Sequence, residues 1–285
     1  MEPASHEPVW RLTAFLTCLA LLAAAETVAP RRRRAIARRQ RWAGNFGLVA
    51  VDTVLVRAAP VFSAVAMAGL AERQGWGLLQ MLGLAPTWVG IGASLVLLDL
   101  AIYLQHVLFH AVPALWRLHR VHHTDPELDV TTGVRFHPVE SLLSAGVRVV
   151  AVGILGAPVA AVILFEIVLN AGSLFSHANL RLPETVDRVL RMVIVTPDMH
   201  RVHHSVDRAE RDRNFGFTLS WWDGLFGTYH AQPRMGHEAM TLGVAGFSLR
   251  DVLVLGRLLI QPLRPPPRRT DQERATVSAT NPPAA

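Results

Sequence analysis

Apolar residues in this chain fall in blocks long enough to cross a bilayer, and polar residues collect at the block ends. Residues 12–29 make an apolar run of roughly 27 Å as a helix, close to the hydrocarbon thickness of a membrane. The pattern predicts a spanning helix there rather than a cleaved signal peptide. The residues before the run include Glu2 and Glu7, and the positive cluster follows it. A second span is predicted over residues 46–70, where Asp52 and Arg57 should face the protein interior or a polar cavity if they lie at membrane depth. A third is predicted over residues 87–110, ended by Pro113.

Residues 144–176 pose a topological choice. They are mostly apolar, with Arg148 early, Glu166 late, and an interruption at Gly156-Ala157-Pro158. A single crossing would place His177 and all that follows on the opposite side of the membrane from His123. A helical hairpin at the interruption returns the chain to the same side. The hairpin is the expectation, because it lets the histidines on either side of the segment meet. Beyond it, Val186, Val189, Leu190 and Val193 are spaced for an interfacial helix within residues 183–195. Thr196-Pro197-Asp198 has the cap, first-turn proline and acid of a helix start. Trp221 and Trp222 fit a membrane interface, and the chain from Pro262 onward has the composition of a disordered tail. The expected fold class is all-α: an integral membrane helical bundle of about four to five membrane helices, including the hairpin, under a cytoplasmic histidine-rich helical cap. The segments are 1–85 (N-terminal membrane helices and a basic cytoplasmic loop), 86–232 (the histidine-bearing domain) and 233–285 (a C-terminal segment with its tail).

Composition agrees. Hydrophobic residues make up 51% of the chain and mean hydropathy is +0.29, which places it among membrane proteins. The single Cys18 excludes a disulfide framework, a CxxC pair and a cysteine-held cluster. All basic residues are Arg, and residues 31–41 contain seven of them. Apolar segments flank this cluster, so a cytoplasmic anchor is the better reading and no nucleic-acid partner is expected. By the positive-inside rule the N-terminus lies outside, and the expected location is a bacterial inner membrane with the histidines facing the cytoplasm.

The chemistry lies in the histidines. One pentapeptide occurs twice, as His119-Arg120-Val121-His122-His123 and His200-Arg201-Val202-His203-His204, and His106 and His110 stand four residues apart upstream. On helices, such spacings present two or three imidazoles in one direction, which makes a metal-binding surface. Imidazole suits Fe, Zn, Cu and Ni. With His137 and His177, the set reaches ten, more than one ion needs and about right for two ions with an open position. Iron is the first-row metal whose open site activates O₂.

Through these boxes, Phe136-His137-Pro138-Val139-Glu140, His177-Ala178-Asn179, Thr196-Pro197-Asp198 and Trp222-Asp223 with Gly227-Thr228-Tyr229, the chain resembles the fatty acid hydroxylase/sterol desaturase superfamily of membrane histidine-box di-iron oxygenases. The resemblance runs over about residues 100–229. It implies O₂-dependent hydroxylation or desaturation of a lipid C–H bond, with two iron ions as cofactor and a membrane lipid as substrate. Carried over residue by residue, His106, His110, His119, His122, His123, His200, His203 and His204 become iron ligands, His177 a ninth, and His137 either a ligand or a packing residue. No catalytic residue beyond the ligands is implied. The chain has no second His near His177, where some members carry one.

The sequence offers no c-type haem motif, cysteine cluster or G-x-G-x-x-G turn, so electrons are expected from a separate donor, a ferredoxin or a cytochrome b5-like protein with its reductase. Its basic cytoplasmic face would suit an acidic carrier. Asp198 and Asn214 are read as helix-cap or turn residues or as supports for ligands, and Asp125 and Asp129 as a solvated loop or supports. Arg117, Arg120 and Arg201 are read as facing phosphate headgroups or guiding a redox partner. His230 and His237 are read as hydrogen-bonded core residues and His6 as a terminal residue. The rival from another class is a non-catalytic metal-binding or metal-transport membrane protein. Against it stands the placement of the histidines at helix ends rather than mid-membrane.

Overall fold

Long apolar runs free of proline leave the backbone one way to satisfy its hydrogen bonds in lipid, the α-helix. The computed structural model describes residues 7–265, and among these there is no strand. Four helices are long and apolar enough to cross a membrane: α1 (Glu7–Val28), of which Val9–Val28 qualifies, α5 (Trp88–Ala111), α7 (Pro138–Leu155) and α8 (Val159–His177). The expected second span is a correction. Residues 46–70 are divided between α2 (Arg38–Ala58) and α3 (Ala64–Gln74), with a 3₁₀ turn at Pro60–Phe62 between them. Pro60 lacks the N–H that a continuing helix needs, and its ring would clash with the preceding turn. Asp52 turns inward and accepts a hydrogen bond from Ser141 Oγ at 2.8 Å, whereas Arg57 is exposed. The short α4 (Leu78–Met81) leads into α5.

The hairpin is present. Gly156 ends α7 in the left-handed conformation, with φ +64°, and Pro158 starts α8. A Cβ on Gly156 would lie 2.4 Å from the carbonyl oxygen of Trp76, so glycine answers both a positive φ and a close backbone approach. From this tip the two helices run back along α5, α7 also packing on α2 and α3, and α8 on α1 and α3. Leu98, Ile102, Val149, Val152, Val162 and Phe165 form the core they share.

At the other end of these helices sits a cap of short elements. They are α6 (Pro113–His123), a 3₁₀ turn at Val130–Val134, α9 (Glu184–Leu190), α10 (Pro197–His203), α11 (Arg208–Arg211), α12 (Trp221–Leu225) and α13 (Gly236–Ala239). Then α14 (Leu249–Leu253) and α15 (Leu255–Ile260) return to pack against α2. The interfacial helix is shorter than its apolar pattern suggested, but Val186, Val189 and Val193 are exposed as that role requires. Trp221 is exposed too. Trp222 instead lies buried and donates its indole N–H to Asp99 Oδ2 at 2.8 Å. Gln261 and Pro262 are buried in a last 3₁₀ turn, Gln261–Leu263, while the rest of the expected tail from residue 266, like His6, lies outside the described residues.

The basic cluster of residues 31–41 is built into this cap. Arg41 is fully buried, paired with Asp125 at 2.7 Å and Asp129 at 2.5 Å. Arg34 and Arg38 both reach Glu26 at 2.8 Å, and Arg31 pairs with Asp198 at 3.1 Å. Asp125 and Asp129 are therefore ion-pair partners in the interior, not a solvated loop. Arg120 and Arg201 are likewise buried. Arg120 donates to the carbonyl of Arg264 at 2.7 Å, and Arg201 pairs with Asp198 and donates to the Ala178 carbonyl at 3.4 Å. Neither faces headgroups, because each satisfies helix-end carbonyls within the protein.

Candidate metal centre

Helix periodicity sorts the nine converging histidines into two groups. The ligand nitrogens of His106, His110, His119, His123 and His203 all lie within 4.8 Å of one another, and so do those of His122, His177, His200 and His204. Each H-x-x-H-H box serves both groups, which corrects the expectation that all three imidazoles point one way. At 100° per residue, positions i and i+4 stay within 40°, while i+3 falls 100° from i+4. Thus His119 and His123 join the five-histidine group and His122 the other, whereas His200 and His204 join the four-histidine group and His203 crosses over. Thr196 caps α10 by accepting from Met199 N–H, as its sequence indicated.

The proton inventory shows what these groups hold. Carbonyl and carboxylate oxygens can only accept, so a ring nitrogen facing one must donate. His106 Nδ1 donates to the Phe215 carbonyl at 2.7 Å, His203 Nδ1 to that of Arg213 at 2.7 Å, and His177 Nδ1 to that of Ser173 at 2.7 Å. His119 Nδ1 donates to Glu140 Oε1 at 2.6 Å and His110 Nδ1 to Asp212 Oδ1 at 3.3 Å. Burial pushes the His119 imidazole down to about 3. Burial first, then neighbouring imidazoles, hold His122, His123, His200, His203 and His204 well below their ordinary value. All of these six are neutral at pH 7. Each ring that spends its proton on Nδ1 therefore presents a bare lone pair at Nε2.

Those lone pairs face one another. His106 Nε2 lies 3.1 Å from His119 Nε2 and 3.0 Å from His203 Nε2. Such contacts carry no proton among three rings already committed at Nδ1, and they repel. A cation at the centre turns repulsion into coordination: two nitrogens at right angles, each about 2.1 Å from a metal, stand about 3.0 Å apart. The spacing recurs between His110 and His123 at 3.1 Å, and between His177 and both His122 and His200 at 3.0 Å. The donor set fits two metal ions.

The chain matches the family model described as "Fatty acid hydroxylase" over residues 91–228, which takes in every histidine of both groups. Over these residues the chain is similar to the fatty acid hydroxylase family. Among curated relatives of the chain, ornithine lipid hydroxylase OlsE of Rhizobium tropici is 32% identical over 153 residues, covering 54% of this chain and 45% of that protein. Alkylglycerol monooxygenase of Homo sapiens is 28% identical over 142 residues, 47% of this chain and 29% of the relative. The Caenorhabditis elegans alkylglycerol monooxygenase is 26% identical over 161 residues, 55% and 30% respectively. The chain thus spans less than half the length of the curated relatives it matches. No solved structure matches it.

Of the ten sequence candidates, nine converge and His137 does not. It caps α7: its Nδ1 accepts from Val139 N–H at 3.2 Å and its Nε2 donates to the Leu259 carbonyl at 3.0 Å. Both ring nitrogens are committed, so none remains for a metal. Asp198 anchors α10 through Arg31 and Arg201. Asn214, at φ +52°, donates to the carbonyls of Met199 and His230 and holds the loop after α11. His237 is buried and donates to Gln232 Oε1 at 2.8 Å, a core role as expected.

Sequence reasoning missed Glu140 as the partner of His119, although its F-H-P-x-E context was noted, and missed Asp212 beside His110. The carbonyls of Phe215, Arg213 and Ser173 had no sequence signal, because main-chain acceptors are common to every residue. Asp223 indirectly sets one of them: it accepts from Phe215 N–H and Gly216 N–H at 2.8 Å, fixing the loop that carries the Phe215 carbonyl.

A cavity of about 210 Å³ opens beside the five-histidine group, between α7 and α8. His106, His119 and Glu140 line its metal end, and Ser144, Leu169 and Asn170 its walls. No member of the four-histidine group reaches it.

Proposed function

We propose that the protein is an O₂-dependent di-iron oxygenase that hydroxylates a C–H bond of a membrane lipid. The carrying observation is the pair of histidine clusters, one of which borders a cavity between α5, α7 and α8. Iron bound there would supply O₂ activation, placing one oxygen atom in the substrate and releasing the other as water at the cost of two electrons and two protons.

The residues divide the remaining work. Carbonyls and carboxylates behind His106, His110, His119, His177 and His203 fix the tautomers that leave Nε2 free to bind metal. The splayed α7 and α8 admit an acyl chain from the bilayer and exclude bulk water from the cavity. Because only His106 and His119 line it, the lipid meets the five-histidine site, and the four-histidine site stands behind. Glu140 Oε2 is buried without a partner, next to the cavity, and is positioned to exchange a proton there. The activities for which the relatives are named, hydroxylation of an ornithine lipid and monooxygenation of alkylglycerols, support a lipid as the substrate class. Electrons come from a separate protein donor.

Protein reconstituted with ferrous iron in lipid nanodiscs should hold close to two ions per chain. It should also consume O₂ with a reductant only when lipid substrate is present. Metal binding near one ion per chain in fully active material would remove the di-iron assignment. Binding without lipid-dependent O₂ uptake would favour a metal carrier.

The ion pairs support a cytoplasmic orientation, since Arg31 and Arg41 tie the basic cluster to the segments that flank the second and first boxes. With positive residues inside, both metal sites face the cytoplasm. In a Cys18→Ser background, cysteines at the exposed Arg39 and Glu184 should both label with a membrane-impermeant maleimide in inside-out vesicles and not in right-side-out ones. Labelling of the two from opposite sides would contradict the shared cap.

A further inference from the structure

One wall of the five-histidine group has no role in binding lipid or metal. The indole of Trp116, in the first turn of α6, is half-buried, with its ring centroid 5.0 Å from that of His110 and 5.3 Å from that of His123. These are contact distances for aromatic rings. Trp116 therefore touches two rings of one metal group on its inner side. The Arg211 guanidinium carbon lies over its face at 4.7 Å. On the same cap Arg117, Arg208 and Arg213 are exposed, Arg213 donating to the Gly227 carbonyl, while the Asp212 carboxylate is engaged by His110 and Arg208. The surface belongs to the cap, beside the end of α5 that carries His110, and lies outside the lining of the cavity. Its charge is positive, where a membrane enzyme needs a reductant that this chain does not contain.

We propose that Trp116 and its arginine collar form the docking and electron-entry surface for an acidic one-electron carrier protein. The proposal rests on the oxygenase reading and adds the place and the route. Each encounter would oxidise the carrier by one electron and reduce one of the two irons by one, the electron entering through the indole in contact with His110 and His123. Two encounters supply the two electrons of one hydroxylation, and the two protons come from solvent. Positive charge around the ring raises the encounter rate with an acidic partner and screens away with salt.

The test uses the full chain, loaded with iron, oxidised and made anaerobic in nanodiscs. A reduced acidic [2Fe–2S] ferredoxin is the protein probe and dithionite the small-molecule control, with reduction followed by stopped-flow absorbance. Trp116→Leu should slow reduction by ferredoxin at least about tenfold, with iron content and the dithionite rate within about twofold of wild type. Trp116→Phe, which keeps an aromatic ring in contact, should fall between. Arg117→Glu should lower the second-order rate with ferredoxin several-fold at low salt, and the difference should vanish at high salt. Equal slowing with both reductants would make Trp116 a packing residue and overturn the route. Unchanged ferredoxin rates in Trp116→Leu would overturn it as well. If neither reductant acts on wild type, the oxygenase reading itself falls, a different outcome from either of these.

Discussion

Replacing His203 with alanine is expected to abolish turnover, lower bound iron from about two ions to about one, and leave the protein folded in the membrane. His203 belongs to the second box yet serves the five-histidine site, where its Nε2 lies 3.0 Å from that of His106. Its ring donates from Nδ1 to the Arg213 carbonyl, so its lone pair is committed to the cluster. Loss of a hydrogen-bonded supporting residue typically costs 10- to 100-fold in metal affinity or activity, and loss of the ligand itself should exceed about 100-fold. His200→Ala should have the same stoichiometric effect at the other site, although it lies three residues away on the same helix. The metal-free protein should hardly notice the loss of His203, because in it the lone pair of that ring repels the one facing it on His106. Metal analysis with O₂ uptake on both variants decides the matter. Retained turnover in His203→Ala would take that residue out of the ligand set, and loss of both ions together would mean that the two groups are one site.

The contrast between these two variants marks where sequence reading reached and where it stopped. That a helix carrying His200 and His203, with His204 at its C-terminal cap, starts here was legible from Thr196-Pro197-Asp198, because capping chemistry is local. The return of the chain at residues 156–158 was legible for the same reason: glycine and proline there break any single span. Which group each imidazole enters was not legible, since that depends on the rotation of α6 and α10 relative to one another, which packing sets. His137 read as a ligand because a histidine near a box carries the same letter whether it binds metal or caps a helix. The second span failed at Pro60, where apolar composition was weighed above the backbone break. The pairing of Arg41 with Asp125 and Asp129 was not legible because it joins positions some 84 to 88 residues apart, and charge alone gives no partner.

That pairing sets the other large expected effect. Arg41→Met should destabilise the fold by about 3–5 kcal/mol, the usual penalty for removing one member of a buried ion pair. The guanidinium is fully buried; it donates to both oxygens of Asp125, at 2.8 and 2.7 Å, and also to Asp129 and Thr132. Arg41 is the main influence holding the Asp125 carboxyl below its ordinary value, against a burial that would raise it. A depressed carboxyl stabilises the fold at neutral pH, and that contribution is lost as pH falls through the folded value, below about 3.8. In Arg41→Met the restraint is gone, burial dominates, and the loss should begin at higher pH. Asp125 lies two residues after His123, so the first box should loosen with it and metal retention should fall. Adding Asp125→Asn to Arg41→Met should recover part of the lost stability, because it removes a charge left without its partner. Thermal unfolding in detergent at neutral and acid pH, on the two single variants and the double, gives the coupling directly. Additive effects, or wild-type melting of Arg41→Met, would show that the clamp contributes nothing and that the first box is held by its helix packing alone.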